Sequence, residues 1–400
     1  MQFTDFTKLD LQRLPSPCFV VDEVAIKRNL AILNDVQVRS GAKVLQALKA
    51  FSMFELAPLS QQYLSGTCAS GLQEARLGHE YYGGEVHVYS AAFSEADLCE
   101  LLKFAHHIVF NSPSQLLRFS DLCRAAQNQR PELQFGLRIN PEHSEGAVEI
   151  YDPCAAGSRL GTTLSQLEQA LKHDDFLLAF ELVSGFHFHT LCEQGYQPLA
   201  RTLNAIEERF AAYLPNLQWL NMGGGHHITA PGYDIESLIN SIKRIRQQYD
   251  VNVYLEPGEA VAIGSGILSV EVLDITFNHL PQAILDTSAT CHMPDILEMP
   301  YRPDIRANHQ LAGERDEFEY NYRLGGLTCL AGDVIGDYSF HKPLKVGQRF
   351  YFEDMAHYTM VKTTTFNGTR LPTLAVWNSE TDALRIVREF SYDDFKMRLS

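Results

Sequence analysis

The sequence has no apolar run long enough to cross a bilayer, which argues against a helical membrane protein. Its start, Met1-Gln2-Phe3-Thr4-Asp5, lacks the basic-then-apolar order of a secretion signal, so the expectation is a cytoplasmic protein. Positive charge is scarce: 33 Lys and Arg stand against 49 Asp and Glu, a net charge of −16. Nucleic acid calls for basic surface and is not expected as a partner. The acidic balance suits a cationic small molecule, although it also serves solubility. None of the eight cysteines (18, 68, 99, 123, 154, 192, 291 and 329) forms a CxxC pair. Thiols scattered in this way fit a reducing compartment better than a disulfide framework. His226-His227 and Cys291-His292 match no zinc spacing, so no metal is expected. There is no low-complexity segment and no fixed-period repeat.

What is present is an ordinary globular composition, 45% hydrophobic and 20% charged, over 400 residues, enough for two domains. From about residue 25 to 275 short apolar segments alternate with helix-like ones. The strand candidates are Val44–Lys49, Gly66–Ala69, Val86–Ser90, His107–Asn111, Phe135–Ile139, Val183–His189, Trp219–Met222 and Val253–Glu256. Helical stretches such as Ala25–Asp35, Ser114–Gln127, Leu164–Leu171, Leu199–Tyr213 and Ile235–Tyr249 lie between them. Eight strands with crossover helices predict an α/β fold, a closed eight-stranded parallel β/α (TIM-like) barrel over residues 25–275. Beyond it, Ala283–Thr287, Gln348–Phe352, Tyr358–Thr364 and Thr373–Trp377 read as strands without crossovers. They predict a second, mainly β domain over residues 276–400, completed by residues 1–24.

Polar residues gather where the predicted barrel strands end, which is where barrel active sites form. Lys49 closes the first strand, Arg138 the fifth, and His187, His189 and Thr190 the sixth. Gly223-Gly224-Gly225 follows the seventh and Glu256-Pro257-Gly258 the eighth. A lone strand-end lysine is ordinarily a solvated surface residue, and a glycine triplet alone is ordinarily a turn. Together, an amine, an anion cradle and a carboxylate are what pyridoxal 5'-phosphate needs. The lysine can hold its aldehyde, backbone N–H groups its phosphate and the carboxylate its ring nitrogen. His187 suits stacking on the ring, whereas His189 reads equally well as a core histidine. In the second domain Gly325-Gly326-Leu327-Thr328-Cys329-Leu330-Ala331-Gly332-Asp333 is a glycine-bracketed loop. Its thiol could protonate a carbanion or simply fill space.

These residues resemble the fold-type III pyridoxal-phosphate decarboxylases, the group that acts on ornithine, arginine and diaminopimelate. The likeness spans nearly the whole chain and includes Tyr358 and Phe366-Asn367-Gly368. The resemblance implies that Lys49 binds the cofactor, His187 stacks on it and Glu256 meets its pyridinium. It implies Thr190, the glycine triplet and Tyr358 at the phosphate, and Arg138 beside the cofactor. It also implies a homodimer with shared active sites, Cys329 acting as acid and Asp333 meeting a substrate amine in the other subunit.

Two departures narrow the choice. Glu259 stands where those relatives carry arginine, and Leu330 where they carry an acid. With His187-Phe188-His189-Thr190-Leu191-Cys192-Glu193 and the ending Arg388-Glu389-Phe390-Ser391-Tyr392-Asp393-Asp394-Phe395-Lys396, they resemble the carboxynorspermidine/carboxyspermidine decarboxylases of bacterial polyamine synthesis. A polyamine brings several cationic amines, which carboxylates at Glu259 and Asp295 would pair with and an arginine would repel. Three alternatives stay open: a diaminopimelate or basic amino-acid decarboxylase, an amino-acid racemase, and a non-catalytic regulatory binder of the same fold.

Overall fold

The structure, a computed structural model, describes residues 4–146 and 149–400. Met1–Phe3 of the N-terminal segment and Ala147 and Val148 of the barrel region lie outside the described residues. The chain divides into two compact units, residues 29–261 and residues 1–28 with 262–400. Among the described residues no helix is long and apolar enough to cross a membrane.

The first strand, β1 (Cys18–Asp22), belongs to the second unit. The barrel follows: β2 (Lys43–Ala47), β3 (Gly66–Ala69), β4 (Glu85–Tyr89), β5 (His107–Phe110), β6 (Gln134–Arg138), β7 (Val183–His187), β8 (Trp219–Asn221) and β9 (Asn252–Leu255). All pair in parallel in sequence order. The ring closes where β2 meets β9, Lys43 opposite Tyr254 and Val44 opposite Leu255. The strands are buried along nearly their whole length, as both faces are covered. Several crossover helices start on side-chain caps. Ser112 caps Pro113–Gln129, Thr163 and Gln166 form a capping box on Leu164–Ala170, and Asp234 caps Ile235–Tyr249.

The barrel centre is solid. Trp219 packs with Leu45, Ala47, Cys68, Val109 and Tyr254. It fits because the neighbouring staves carry glycine: a Cβ on Gly185 would lie 1.9 Å from the indole, and one on Gly136 2.3 Å. Below it His107 stacks on Trp219 and His87 on His107, with centroids 4.7 and 3.8 Å apart.

The second unit is a ten-stranded sheet. Its strands are β1, β10 (Gly266–Asn278), β11 (Leu280–Leu285), β12 (Ile305–Ala307), β13 (Gln310–Leu311), β14 (Tyr320–Gly325), β15 (Val334–Phe340), β16 (Arg349–Glu353), β17 (Thr373–Asn378) and β18 (Ala383–Arg388). The N-terminal β1 is inserted between β10 and β17, antiparallel to the first and parallel to the second. The long β10 pairs with β1, β11 and β16, so residues 266–275 run in this sheet and not in the barrel. Tyr358–Thr364 is not a strand. Tyr358 takes a left-handed φ of +48° and the chain turns there, Val361 and Lys362 donating back to its carbonyl. A run of β-branched residues without a partner strand did not stay extended.

Candidate functional site

Lys49 sits in a turn two residues beyond β2. The turn is pinned from below by the buried Gln46, whose amide donates to the carbonyl of Phe51 at 2.9 Å. Leu48 N–H bonds the carbonyl of Cys68 and Ala47 N–H that of Pro257. The amine thus emerges between the ends of β3 and β9, with Nζ 3.4 Å from His189 Nε2.

Glu256 follows β9. Asn221, the last residue of β8, donates to its Oε1 at 2.7 Å, and His187, the last of β7, meets its Oε2 at 3.2 Å. Burial opposes ionisation of this carboxyl, but His187 and the Asn221 amide outweigh it and hold Glu256 well below the ordinary carboxylate range. The other ring nitrogen of His187, Nδ1, is buried without a partner. Arg138 closes β6. It lies 4.5 Å over the Tyr89 ring and donates to the His189 carbonyl at 2.9 Å. Gly223 and Gly225 adopt φ of +66° and +82°, and side chains there would strike Phe188 O and Leu191 O. The triplet is glycine because the ends of β7 and β8 close in on each other. Its N–H groups face side-chain acceptors, Gly223 on Asn221 Oδ1 (2.9 Å) and Gly224 on His189 Nδ1 (3.0 Å).

Lys49, Arg138, His187, the triplet, Glu256 and Glu259 are all carried by the barrel unit at or just beyond strand ends. Two of the barrel residues have partners within the chain. Thr190 is buried, its hydroxyl 3.3 Å from that of Thr202 on the helix Tyr196–Phe210. Glu259 is buried with its Oε2 2.6 Å from His227 Nε2, so its carboxylate already has a partner.

The sheet unit carries the rest. Cys329 is exposed on the loop between β14 and β15, and its N–H donates to Asn367 Oδ1 at 2.8 Å. Asp333 is buried at the loop's far end and receives Ser288 Oγ, Thr290 N, Thr328 N and Thr328 Oγ1. A carboxylate with four donors organises its loop and has little left for a substrate amine. Asp295 is bound, with Glu298, by the Lys362 ammonium, so it too is paired. Tyr358 occupies the turn described above.

Sequence reading missed Asn221, Tyr89 and the Glu85–His87–His107 group. Asn221 had a signal, a polar residue at a strand end directly before the triplet. Glu85, His87 and His107 lie within donor-atom reach of one another where β4 and β5 begin, the opposite end from Lys49. Lys43 binds Glu85, His87 meets its other oxygen at 3.0 Å, and the two imidazoles stack on each other. A cavity of about 670 Å³ opens on the loop after β6, lined by Asn140, Glu142, Ser144, Asp152, Cys154 and Thr163 among others. Neither Lys49 nor Glu256 lines it.

The residues fit pyridoxal phosphate where the structure tests them. An amine stands at a barrel strand end, a carboxylate is held ionised, and a buried imidazole edge lacks a partner. Residues 18–356 match the family model described as pyridoxal-dependent decarboxylase, C-terminal sheet domain, and so define the class, a lyase that uses pyridoxal phosphate. Among similar proteins, the carboxynorspermidine/carboxyspermidine decarboxylase of Campylobacter jejuni is 40% identical over 395 residues, 97% of this chain and 99% of that one. The carboxyaminopropylagmatine decarboxylase of Synechocystis is 42% identical over 394 residues, 97% of this chain and 96% of that one. The crystal structure of carboxynorspermidine decarboxylase complexed with norspermidine, from Campylobacter jejuni, superposes with a TM-score of 0.84 at 40% identity, covering 96% of this chain and 100% of that one. The chain belongs to the pyridoxal-phosphate-dependent decarboxylases.

Proposed function

We propose that this enzyme decarboxylates carboxynorspermidine and carboxyspermidine to norspermidine and spermidine, in the cytoplasm, as a homodimer with shared active sites. The observation that carries the reading is Glu259, a buried acid in the Glu-Pro-Gly-Glu turn beside β9, where the basic amino-acid decarboxylases it resembles place arginine. Near-full-length identity of 40% to a relative of that name supports it.

Lys49 would hold the cofactor through its amine. His187 would lie against the ring, Glu256 would keep the pyridine nitrogen protonated, and the glycine triplet with Tyr358 would take the phosphate. When bound, the cofactor supplies an electron sink for the bond pair left by the departing carboxylate. Asn221 and His187 keep Glu256 charged for that task, at 2.7 and 3.2 Å. Arg138, stacked on Tyr89, fixes the peptide of His189 beside the lysine. Cys329, from the second copy, would return a proton to the α-carbon. Glu259 with His227 would favour a chain of amines and disfavour a second carboxylate. Asp333, given its four donors, shapes the Cys329 loop.

A second reading has its own support, the 42% identity to a carboxyaminopropylagmatine decarboxylase. Carbon dioxide release decides between them. The panel is carboxynorspermidine, carboxyspermidine, carboxyaminopropylagmatine, diaminopimelate, ornithine, arginine and lysine. Fastest release from the first two is expected; preference for the third favours the second reading, and release only from the last four overturns both.

A further inference from the structure

We infer that Asn221 is a positioning residue that ties the carboxylate of Glu256 to the start of the glycine triplet, so that one buried amide sets the two ends of the cofactor site at a fixed separation. This rests on the reading of Glu256 as the partner of the pyridine nitrogen and of the triplet as the phosphate cradle.

Three hydrogen bonds close a ring. Gly223 N–H donates to Asn221 Oδ1 at 2.9 Å, Asn221 Nδ2 donates to Glu256 Oε1 at 2.7 Å, and Glu256 N–H donates to the Gly223 carbonyl at 2.7 Å. Chemistry fixes the direction of each. A backbone N–H only donates and a carboxylate only accepts, so the amide must turn its oxygen to Gly223 and its nitrogen to Glu256. Asn221 is 1% exposed, so water does not replace either bond. Its main chain is held on both sides. Its carbonyl accepts from Phe188 N–H at 2.9 Å, and Met222 N–H donates to the Tyr254 carbonyl at 2.9 Å. The bond from Gly223 back to Asn221 is an Asx turn, and it starts the triplet on the left-handed φ of +66° at Gly223. That N–H is thereby committed, so the first glycine serves the cradle by its position and not by donation. At the other end His187 meets Glu256 Oε2 at 3.2 Å. Both carboxylate oxygens are then held, and the group cannot rotate freely.

Three variants take the ring apart. Asn221→Ser keeps a turn of the same kind on Gly223 but is too short to reach Glu256. Asn221→Asp keeps the turn and sets a like charge against Glu256, and Asn221→Ala removes both bonds. Equilibrium binding of pyridoxal phosphate and of pyridoxal to the full-length coenzyme-free chain reads the cradle. The preference for the phosphorylated form is expected to fall about fivefold in Asn221→Ala, as one net hydrogen bond is lost, and to hold in Asn221→Ser. Carbon dioxide release from the best substrate of the panel reads the carboxylate. Its kcat is expected to fall about tenfold in Asn221→Ser, which lacks the bond to a charged group. In Asn221→Asp the acidic limb of kcat against pH is expected to move to higher pH, because a neighbouring carboxylate disfavours the charged form of Glu256. A serine variant with wild-type kcat, an aspartate variant with the wild-type acidic limb, or an alanine variant with the full preference for phosphate each overturns the proposal. If the alanine variant does not fold, the other two decide. Glu256→Gln separates the ideas: unchanged turnover there sinks the reading of Glu256 itself, and a wild-type chain indifferent to the phosphate sinks the cradle reading. A slowed Glu256→Gln beside an unimpaired Asn221→Ser sinks only this one.

Discussion

The backbone N–H of Cys329 is held by the side-chain carbonyl of Asn367, 38 residues further along the chain and 2.8 Å away. Two motifs that looked separate in the sequence are thus one device, in which Asn367, at a left-handed φ of +57°, positions the loop that carries the thiol. Asn367→Ala is expected to lower kcat about five- to tenfold with a smaller change in KM, as one net hydrogen bond is lost from the loop. Steady-state carbon dioxide release checks this. An unchanged kcat would mean that the thiol's position does not matter to the slow step.

Asp333 tests whether a loop organiser has been mistaken for a substrate ligand. Removing its carboxylate strands four donors, at a cost of about 2–3 kcal/mol. Asp333→Ala should therefore show a lowered urea midpoint and a kcat loss shared by every substrate tried. A selective rise in KM for the substrate with most amines, with stability intact, would restore the substrate role.

Glu256→Gln keeps the shape of the side chain and removes its charge. Turnover is expected to fall roughly 10²-fold, in the range seen when a preorganised electrostatic partner is removed. Folding should be nearly unaffected, because the Asn221 amide can still bond the remaining oxygen. Single-turnover carbon dioxide release and a thermal melt on the same sample separate the two effects.

His227→Phe should reveal whether Glu259 needs its partner. A buried carboxylate left without that 2.6 Å contact is expected to cost about 1–3 kcal/mol. The variant should melt earlier, and added polyamine should raise the melting temperature by more than it does in wild type if the substrate amines take the vacated place.

The lower end of the barrel supplies a pH test. Burial opposes ionisation of Glu85, yet His87 and Lys43 together bring its pKa down to about 2. A depressed carboxyl contributes stability that is fully present above its unfolded value, near 4.3, and is lost as pH falls towards 2. Glu85→Gln should therefore be less stable by roughly 2 kcal/mol at pH 7. The gap between variant and wild type should narrow below about pH 4. Urea unfolding across that interval measures it, and a gap that widens on acidification would contradict the assignment.

The barrel was legible because parallel strands buried on both faces leave short apolar runs, and several of the helices between them carry caps. All eight predicted strands fall within two residues of their observed bounds. The sheet unit was less so: β12, β13, β14, β15 and β18 were not foreseen, and Tyr358–Thr364 turned instead of extending. Antiparallel pairing across long loops leaves little local trace, and Tyr358's left-handed backbone leaves none. At the site, residue types at strand ends could be read, but not their partners. Glu259 with His227, Asp295 with Lys362 and Thr190 with Thr202 are all pairs distant in sequence. Each changes what its first member can do.

The indole at the barrel's centre ties three positions into one unit of variation. Trp219 fills a space that only the missing side chains at 136 and 185 make available. A homologue that gains even a methyl group at either glycine must shrink the residue at 219 in the same step. One that loses the tryptophan opens a void that larger residues on the adjoining staves can fill. The three positions should therefore covary as a set across descendants of this fold, whatever substrate the other end of the barrel comes to accept.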